Sequence, residues 1–279
     1  MVKSMTYFEV LKWASSFLEG HEKDVNIAEY LLLEYNQWTK TDLLMHFKQV
    51  VPKDIVDRLS RDLEKISQDY PPQYLIGSCE FYGERFIVSE DTLIPRPETE
   101  ELVELCLTEN DMMSKQVVDI GTGTGIIAIS LKLHRPDWKI NAVDLSSEAL
   151  EIARKNAKQL QTEIDFFEGS TLEPVKDKKF DIIISNPPYI STNEWDKMDE
   201  SVRLHEPKLA LFAENDGLAI YEKIAREAIS ALTVDGRVYL EIGYLQGERV
   251  SQIFQHYFPE KIVEVVKDMS GHDRIVKVY

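Results

Sequence analysis

The sequence predicts an α/β fold in which a mainly parallel β-sheet, covered by helices on both faces, follows a small bundle of helices. Two observations carry this prediction. From Val117 onward, short runs rich in β-branched residues alternate with segments of helical character, which is the pattern of parallel strands joined by helices. Before residue 78, aromatic and aliphatic side chains recur at spacings of three and four, as on the apolar faces of helices.

Length and composition favour a two-domain globular protein. The chain has 279 residues, 43% of them hydrophobic and 29% charged. Its 49 acidic and 32 basic side chains give a formal net charge of −17, and so acidic a surface repels phosphate backbones, which argues against extensive nucleic-acid binding. Two cysteines, no metal-ligand spacing, no signal-peptide pattern and no apolar run of about 18 residues predict a cytoplasmic protein without a metal site.

The N-terminal region is expected to form several short helices with an aromatic core. Thr41 and Asp42 are candidate N-caps, and Pro52 is placed to begin a further helix. The helical pattern stops at Tyr70-Pro71-Pro72. The apolar residues that recur at helical spacing are Phe8, Leu11, Trp13, Phe17, Leu18, Ile27, Tyr30, Leu31, Tyr35 and Trp38.

A β-hairpin is predicted next, because residues 80–88 contain two short apolar runs around Gly83. The sequence therefore divides into a helical domain at 1–78, a β-hairpin connector at 79–95 and a sheet-containing domain at 96–279.

The sheet-containing domain begins with a helix from Pro97 to about Leu107, whose first turn carries glutamates that suit the positive end of the helix dipole. Helices are then predicted up to residue 133, over 147–160, over 217–232 and before the last two strands. Only four residues, 270–273, join those last two strands. A parallel crossover needs about a dozen, so this pair must be antiparallel. The predicted strands are 117–121, 139–144, 164–169, 180–186, 237–243, 262–269 and 274–279.

The first motif with chemical content is a glycine-rich loop, Asp119-Ile120-Gly121-Thr122-Gly123-Thr124-Gly125, between a strand and a helix. Glycines let the backbone approach a ligand closely, and the helix that follows offers free N–H groups. Asp144 ends the next strand, where a carboxylate can accept both hydroxyls of an adenosine ribose. The pair predicts a site for an adenosine-containing cofactor.

Glycine spacing alone leaves two cofactors open, NAD and S-adenosylmethionine. Counted from Gly121, the dinucleotide fingerprint needs a glycine at position 126, which is Ile126. Counted from Gly123, the segment ending at Ala128 fits the looser GxGxxA form.

The second motif, Asn186-Pro187-Pro188-Tyr189, follows an apolar strand. Its prolines have no N–H, so the carbonyls of Asn186 and Pro187 and the Asn186 side-chain oxygen form a cluster of acceptors. Tyr189 adds a flat face for a planar group. Such a cluster suits a planar NH2 group that donates two hydrogen bonds, and it has no evident use in hydride transfer.

Together the two motifs resemble S-adenosylmethionine-dependent methyltransferases that act on amide or exocyclic amino nitrogens. From about residue 70 onward, the chain more narrowly resembles the peptide-chain release factor N5-glutamine methyltransferases. The most specific marker is Pro-Arg-Pro-Glu-Thr-Glu at 95–100, because Asn-Pro-Pro-Tyr also occurs in DNA adenine methyltransferases. Further matching segments lie at 74–77, 93–94, 206–211, 216–218, 241–246 and 267–274.

This resemblance implies a class I methyltransferase fold with a seven-stranded mixed sheet, a C-terminal antiparallel hairpin and a helical N-terminal domain that helps to hold a protein substrate. It implies S-adenosylmethionine as cofactor, with S-adenosylhomocysteine as product. The implied cofactor-binding residues are Asp119, Gly121, Thr122, Gly123, Thr124, Gly125, Asp144, Leu145, Ser170, Thr171 and Asn186. The implied catalytic residues are Asn186, Pro187 and Tyr189, and the implied substrate-binding residues are those three with Pro188 and Arg96.

The same resemblance implies methylation of the glutamine in the Gly-Gly-Gln motif of class I peptide-chain release factors. Alternatives are a ribosomal-protein glutamine, an adenine amino group in nucleic acid and, more remotely, a dinucleotide-dependent oxidoreductase or a non-catalytic nucleotide-binding module. One departure concerns the adenine site, where relatives commonly have an acidic residue and this chain has Ser170.

Several roles stay open on sequence alone. Arg96 either faces the pocket, caps a helix or pairs with Glu98 or Glu100. Glu206 and Glu241 either lie at the rim of the site or have a structural role. The polar stretch from 191 to 215 is long for a connection in a compact domain, and it is predicted to frame substrate entry as a lid.

Overall fold

The computed structural model describes residues 5–279, apart from the side chain of Lys197. The chain divides into two compact units. Of the described residues, 5–77 together with 199–205 form the helical unit, and 78–198 together with 206–279 form the sheet unit.

The helical unit contains α1 (Tyr7–Gly20), α2 (Asn26–Asn36), α3 (Lys40–His46), α4 (Lys53–Ile66) and α5 (Pro72–Ile76). The predicted aromatic core is present, since Trp13, Phe17, Tyr35 and Trp38 pack against a buried aliphatic cluster. The helical bundle predicted for this region is confirmed.

Reciprocal capping boxes begin α1 and α3. The Thr39 hydroxyl accepts from the N–H of Asp42, and the Asp42 carboxylate accepts from the N–H of Thr39 at 2.9 Å. The prediction of Thr41 or Asp42 as the N-cap is therefore wrong by two or three residues, because Asp42 is the partner in the box and not the cap.

The sheet unit begins with an antiparallel hairpin of β1 (Ser78–Phe81) and β2 (Glu84–Ile87). The main sheet follows, with strands β3 (Gln116–Ile120), β4 (Lys139–Asp144), β5 (Asp165–Glu168), β6 (Phe180–Ser185), β7 (Leu232–Glu241), β8 (Val263–Lys267) and β9 (Asp273–Val278). The helices of the sheet unit are α6 (Pro97–Glu109), α7 (Ile126–His134), α8 (Ser147–Gln159), α10 (Lys208–Leu211), α11 (Glu214–Gly217), α12 (Ala219–Ala231) and α13 (Gly247–Tyr257), while α9 (Glu200–His205) belongs to the helical unit. No helix among the described residues is both long and apolar enough to cross a membrane.

The seven strands of the main sheet lie in the order β5-β4-β3-β6-β7-β9-β8. Strands β3 to β7 are parallel, and β9 runs antiparallel to both β7 and β8. The C-terminal antiparallel hairpin predicted from its four-residue link is confirmed. Strand order reverses between β3 and β6, and in such sheets ligands bind at the carboxyl ends of the strands beside that reversal.

Two apolar cores cover the opposite faces of the sheet. Successive strand residues point to opposite faces, so the neighbours Val117 and Val118 of β3 enter different cores. Val118 lies in the cluster that contains Tyr221 of α12 and Phe254 of α13, while Val117 lies in the cluster that contains Leu102 of α6. Helices therefore flank both faces, as the alternating sequence pattern predicts.

The polar stretch at 191–215 is largely helical and not one long irregular loop. It contains a 3₁₀ helix (Thr192–Lys197), α9, α10 and the start of α11. Strand-like hydrogen bonds lie at the C-terminal end of α10, from Ile190 N–H to the Leu211 carbonyl at 2.9 Å and from Ala213 N–H to the Ile190 carbonyl at 3.1 Å. These bonds hold residues 211–213 beside Ile190, which follows Tyr189.

Asn156, which is fully buried on α8, ties the hairpin to the glycine-rich loop. Its Oδ1 accepts from the Ile87 N–H at 2.7 Å, and its Nδ2 donates to the carbonyls of Ile87 at 3.0 Å and Thr124 at 2.9 Å. One side chain thus satisfies three backbone groups that would otherwise be buried without partners.

We expect Asn156→Ala to lower the free energy of unfolding by about 2–4 kcal/mol, because several buried backbone groups lose their partners. Urea unfolding measures the change. Lys155→Ala, at the exposed neighbouring position, is the control and should change stability by less than about 0.5 kcal/mol. Equal stability of the two variants would contradict this role of Asn156.

Candidate active site

The candidate site lies where the carboxyl ends of β3, β4 and β6 meet. The glycine-rich loop follows β3, Asp144 ends β4 and the Asn-Pro-Pro-Tyr motif follows β6. A cavity at this edge is lined by most of the residues predicted from the sequence: Arg96, Gly121, Thr122, Gly123, Thr124, Asp144, Leu145, Ser170, Thr171, Asn186, Pro187 and Pro188. Asp119, Gly125 and Tyr189 are not among its lining residues.

Gly125 acts in the packing beneath the loop. It has φ +82°, and a Cβ there would lie 3.0 Å from Ile129 Cδ1 and 3.2 Å from Ala153 Cβ. Glycine therefore permits both the left-handed backbone and the close approach of α7 to α8.

Asp144 holds the loop in shape from the neighbouring strand. Its two carboxylate oxygens accept from the backbone N–H groups of Gly123 at 2.8 Å and Ser146 at 2.9 Å. Burial raises the pKa of Asp144, while these hydrogen bonds oppose the rise. The carboxylate is thereby fixed at the cavity wall, where it can accept hydroxyl groups of a ligand.

Asp119 lies beneath the loop and is fully buried. Its Oδ2 accepts from the Thr122 hydroxyl at 2.6 Å and from the Ala128 N–H at 3.3 Å, while Oδ1 has no hydrogen-bond partner among the described residues. Burial raises the pKa of Asp119 from 3.8 to about 7. The structure thus gives Asp119 contacts that organise the loop from below.

Asn186 is the cavity end of a hydrogen-bond chain that runs through Thr99 to the buried Glu241. Its Nδ2 donates to the Thr99 hydroxyl at 3.1 Å, and that hydroxyl donates to Glu241 Oε2 at 2.8 Å. Since Nδ2 is engaged, Oδ1 is the acceptor that this side chain offers to the cavity. The sequence analysis did not predict that Thr99 links Asn186 to Glu241. Thr99 entered it only as one residue of the 95–100 marker.

Tyr189 is packed against the core beside the cavity. Its carbonyl accepts from Gln246 Nε2 at 3.0 Å, and desolvation raises the pKa of its phenol to about 12. The chain returns so close to this turn that a Cβ on Gly217 would lie 2.0 Å from the Tyr189 carbonyl oxygen. The ring therefore lies in the wall behind the cavity.

Ser170 and Thr171 are held from α12. Lys223 Nζ donates to Ser170 Oγ at 2.8 Å, and the Thr171 hydroxyl donates to Glu227 Oε2 at 2.6 Å. Lys223 can only donate, so the Ser170 proton is available to another acceptor. No sequence motif marks Lys223 or Glu227, because their roles depend on how α12 packs.

Arg96 pairs with Glu206, and not with the nearby Glu98 or Glu100. Its Nη2 lies 2.5 Å from Glu206 Oε1, and Glu206 Oε2 accepts from the Ile94 N–H at 3.1 Å. The Glu206 side chain is only 1% exposed, so the ion pair neutralises a buried carboxylate. Arg96 also lines the cavity.

The cavity has further walls, most of them from the stretch 191–215 that the sequence predicts to frame substrate entry. Apolar side chains of the stretch around α10 and of α12 complete it: Leu209, Ala210, Phe212 and Ile220, with Pro207. Among the described residues, no group of three or more His, Cys, Asp or Glu side chains is arranged to hold a metal ion.

Comparison with solved structures and family models gives the class of protein. A methyltransferase from Pyrococcus furiosus superposes with a TM-score of 0.54 at 18% identity, covering 78% of this chain and 97% of that one. A ribosomal protein L11 methylase from Lactobacillus delbrueckii subsp. bulgaricus gives 0.50 at 23% identity, covering 66% and 79%. The family model described as methyltransferase small domain matches residues 98–203. With the sheet order, these matches show a class I methyltransferase fold.

Curated relatives give the family. Release factor glutamine methyltransferases are 51% identical in Enterococcus faecalis, over 96% of this chain and 97% of the relative, and 43% identical in Lactococcus lactis, over 98% and 100%. The PrmC N-terminal domain model also matches residues 9–77. The chain belongs to the release factor glutamine methyltransferase family, which confirms the resemblance drawn from its motifs.

The raised pKa of Asp119 predicts that the stability of the protein depends on pH. The folded pKa of Asp119 lies above the unfolded value, so the folded state retains a proton that the unfolded state releases, and stability falls as the pH rises from about 4 to about 7. We expect Asp119→Asn to remove this loss. The free energy of unfolding of the variant, measured in urea and compared with that of the wild type, should therefore increase as the pH rises from about 4 to about 7. The exposed Asp137→Asn is the control, and a difference independent of pH would contradict the prediction.

Proposed function

We propose that this protein transfers a methyl group from S-adenosylmethionine to the side-chain amide nitrogen (N5) of a glutamine in a class I peptide-chain release factor. The target is the glutamine of the Gly-Gly-Gln motif. Membership of the family supports the reaction, and one geometric observation carries it: Asn186 and Pro187 both line the cavity, and Thr99 holds the Asn186 NH2 group, which leaves Oδ1 as the acceptor for a ligand.

These two oxygens match the hydrogen-bonding needs of a primary amide. A glutamine NH2 donates two hydrogen bonds, and Asn186 Oδ1 and the Pro187 carbonyl are two acceptors on adjacent residues. The residues of the turn thus recognise the NH2 group and hold its nitrogen in one orientation. Pro188, Tyr189 and Arg96 complete the proposed substrate side of the site.

The same acceptors promote the reaction. An amide nitrogen is a weak nucleophile because its lone pair is delocalised into the carbonyl. As that nitrogen gains the methyl group it becomes positively charged, and the two acceptors then bind its N–H groups more strongly. The nitrogen finally releases one proton to solvent. An N-protonated amide is acidic enough that no strong base is required, and no histidine of the described chain lines the cavity.

The residues at the strand ends fit S-adenosylmethionine. Asp144 is a fixed acceptor for ribose hydroxyls. The backbone at 121–124 allows close approach of the methionine part. Leu145, Ser170 and Thr171 contribute to the remaining wall of the cavity. Ser170 offers a hydroxyl donor where relatives commonly have an acidic residue. When bound, S-adenosylmethionine supplies an electrophilic methyl group. Asp119 and Gly125 support this site from beneath the loop.

We assign the helical domain, residues 1–78, to recognition of the protein substrate, residues 79–95 to the connector, and residues 96–279 to catalysis. The sequence similarity to the PrmC N-terminal domain supports the first assignment.

An adenine amino group is the second candidate substrate, because it also is a planar NH2 group with two donors. The assay is transfer of radiolabel from S-adenosylmethionine to release factor, ribosomal protein or duplex DNA, with mass spectrometry to locate the methyl group. We expect label on the release-factor glutamine and none on a release factor with that glutamine changed to glutamate. Label on DNA alone or on ribosomal protein alone would overturn the proposed substrate.

Asn186→Ala should reduce methyl transfer by at least about 100-fold, because the amide loses a transition-state acceptor. Its dissociation constant for S-adenosylmethionine, measured by calorimetry, should change little. Gln252→Ala removes an exposed amide on α13 and should transfer methyl groups at the wild-type rate. Near wild-type turnover of Asn186→Ala would disprove this mechanism.

Asp144→Ala should weaken binding of S-adenosylmethionine by about 10-fold or more, since a hydrogen-bonded carboxylate contributes about 1.5–3 kcal/mol. Calorimetry measures the dissociation constant, and Asp137→Ala is the control for loss of an exposed carboxylate. An unchanged constant would remove Asp144 from the cofactor site.

A further inference from the structure

Two buried side chains, Thr99 and Glu241, hold the Asn186 amide, and Thr99 is also part of the cavity wall. Thr99 lies in the first turn of α6 and Glu241 ends β7, and each is 1% exposed. The contacts run from Asn186 Nδ2 to Thr99 Oγ1 at 3.1 Å and from Thr99 Oγ1 to Glu241 Oε2 at 2.8 Å.

The chain of hydrogen bonds has a direction. A hydroxyl has one proton, and an ionised carboxylate can only accept. The Thr99 proton is therefore directed to Glu241, and the Thr99 oxygen is left to accept from Asn186. Only the nitrogen end of the Asn186 amide can fill that place, so the oxygen end must face the substrate.

We propose that Thr99 is a positioning residue which, together with ionised Glu241, determines which end of the Asn186 amide faces the glutamine substrate. This inference rests on the proposed function and extends it. Without the chain, the two ends of the Asn186 amide are nearly alike in shape, and rotation by half a turn would place its NH2 against the NH2 of the substrate.

Protonation of Glu241 allows the direction of the chain to reverse. A protonated carboxyl can donate to Thr99 Oγ1, and the Thr99 proton is then no longer held by Glu241 and can turn to Asn186. In that state the amide oxygen of Asn186 can turn to Thr99, and its NH2 group then faces the NH2 group of the substrate. The glutamine nitrogen thereby loses one of its two acceptors in part of the molecules. Methyl transfer is therefore faster when Glu241 is ionised.

The groups around Glu241 determine the pH at which its carboxyl group loses its proton. Burial raises the pKa of Glu241 from 4.5 to about 7, assisted by Glu98, while the Thr99 hydroxyl, Arg274 and Arg96 lower it. The phenol of Tyr189 is a neighbour, and the Tyr221 hydroxyl donates to the Glu241 backbone carbonyl at 2.7 Å. Because the ionised form is the faster one, the rate should fall as the pH drops below about 7.

The test compares Thr99→Val, which has nearly the same shape but no hydroxyl, with Thr99→Ser, which keeps it. We expect Thr99→Val to lower kcat by about 10- to 100-fold, with the dissociation constant for S-adenosylmethionine within about twofold of the wild type. Thr99→Ser should restore most of the rate. Thr99→Ala serves as a second hydroxyl-free variant should the valine side chain disturb folding, which circular dichroism will reveal.

Near wild-type kcat in the hydroxyl-free variants, or equal losses in Thr99→Val and Thr99→Ser, would overturn the proposal. The pH profile is a second measurement: the wild-type kcat should rise with pH up to about 7, and the residual kcat of Thr99→Val should not. A profile shared by both proteins would show that Glu241 does not act through Thr99.

A third measurement needs no substrate and separates this inference from the proposed function. The side-chain amide resonances of Asn186, identified as those that vanish in Asn186→Asp, should move in Thr99→Val and stay nearly in place in Thr99→Ser. If they behave so while no release factor is methylated, the proposed function fails and the hydrogen-bond chain stands. If they are insensitive to both substitutions while release factor is methylated, the chain fails alone.

Discussion

Buried polar groups without hydrogen-bond partners are costly, and this constraint organises the edge of the sheet where the site lies. Asn156, Glu206 and Glu241 are all buried, and each is satisfied by a group far away in the sequence. Asn156 fixes the end of the hairpin to the loop after β3, Glu206 binds Arg96, and Glu241 binds Thr99. Displacing any of these segments exposes a polar group to the apolar interior, so the segments hold one another in register.

The stretch 95–100 is where most of these constraints meet. Arg96 neutralises Glu206, and Thr99 connects Glu241 to Asn186. Glu100 accepts from the backbone N–H of Tyr82 in the turn of the hairpin at 2.8 Å. Pro97 begins α6 without needing a partner for a missing N–H. Arg96, Pro97, Thr99 and Glu100 therefore have separate physical roles, and each connects or begins a different segment of the sheet unit.

Features coded locally were predictable from sequence, and features made by distant contacts were not. The sheet and its two motifs could be predicted because they depend on residues that are neighbours in the sequence. These local features are the alternation after Val117, the short link at 270–273 and the turn after β6. The partners of Arg96 and Thr99 lie 110 and 142 residues away, and only the packed structure brings them together. The cap of α3 at Thr39 was missed for another reason: reciprocal bonding made Asp42 resemble a cap.

The hydrogen-bond chain also explains why an amide, and no other side chain, suits position 186. The site needs an acceptor toward the substrate and a donor toward Thr99, and a primary amide has one of each at nearly equal reach. An aspartate would offer two acceptors, leave the Thr99 oxygen without a donor and place a second carboxylate near Glu241, where like charges disfavour ionisation. A leucine would fill the space with neither group. The orientation of the amide that recognises a glutamine NH2 is therefore set by Thr99, in the cavity wall, and by the buried Glu241 behind it.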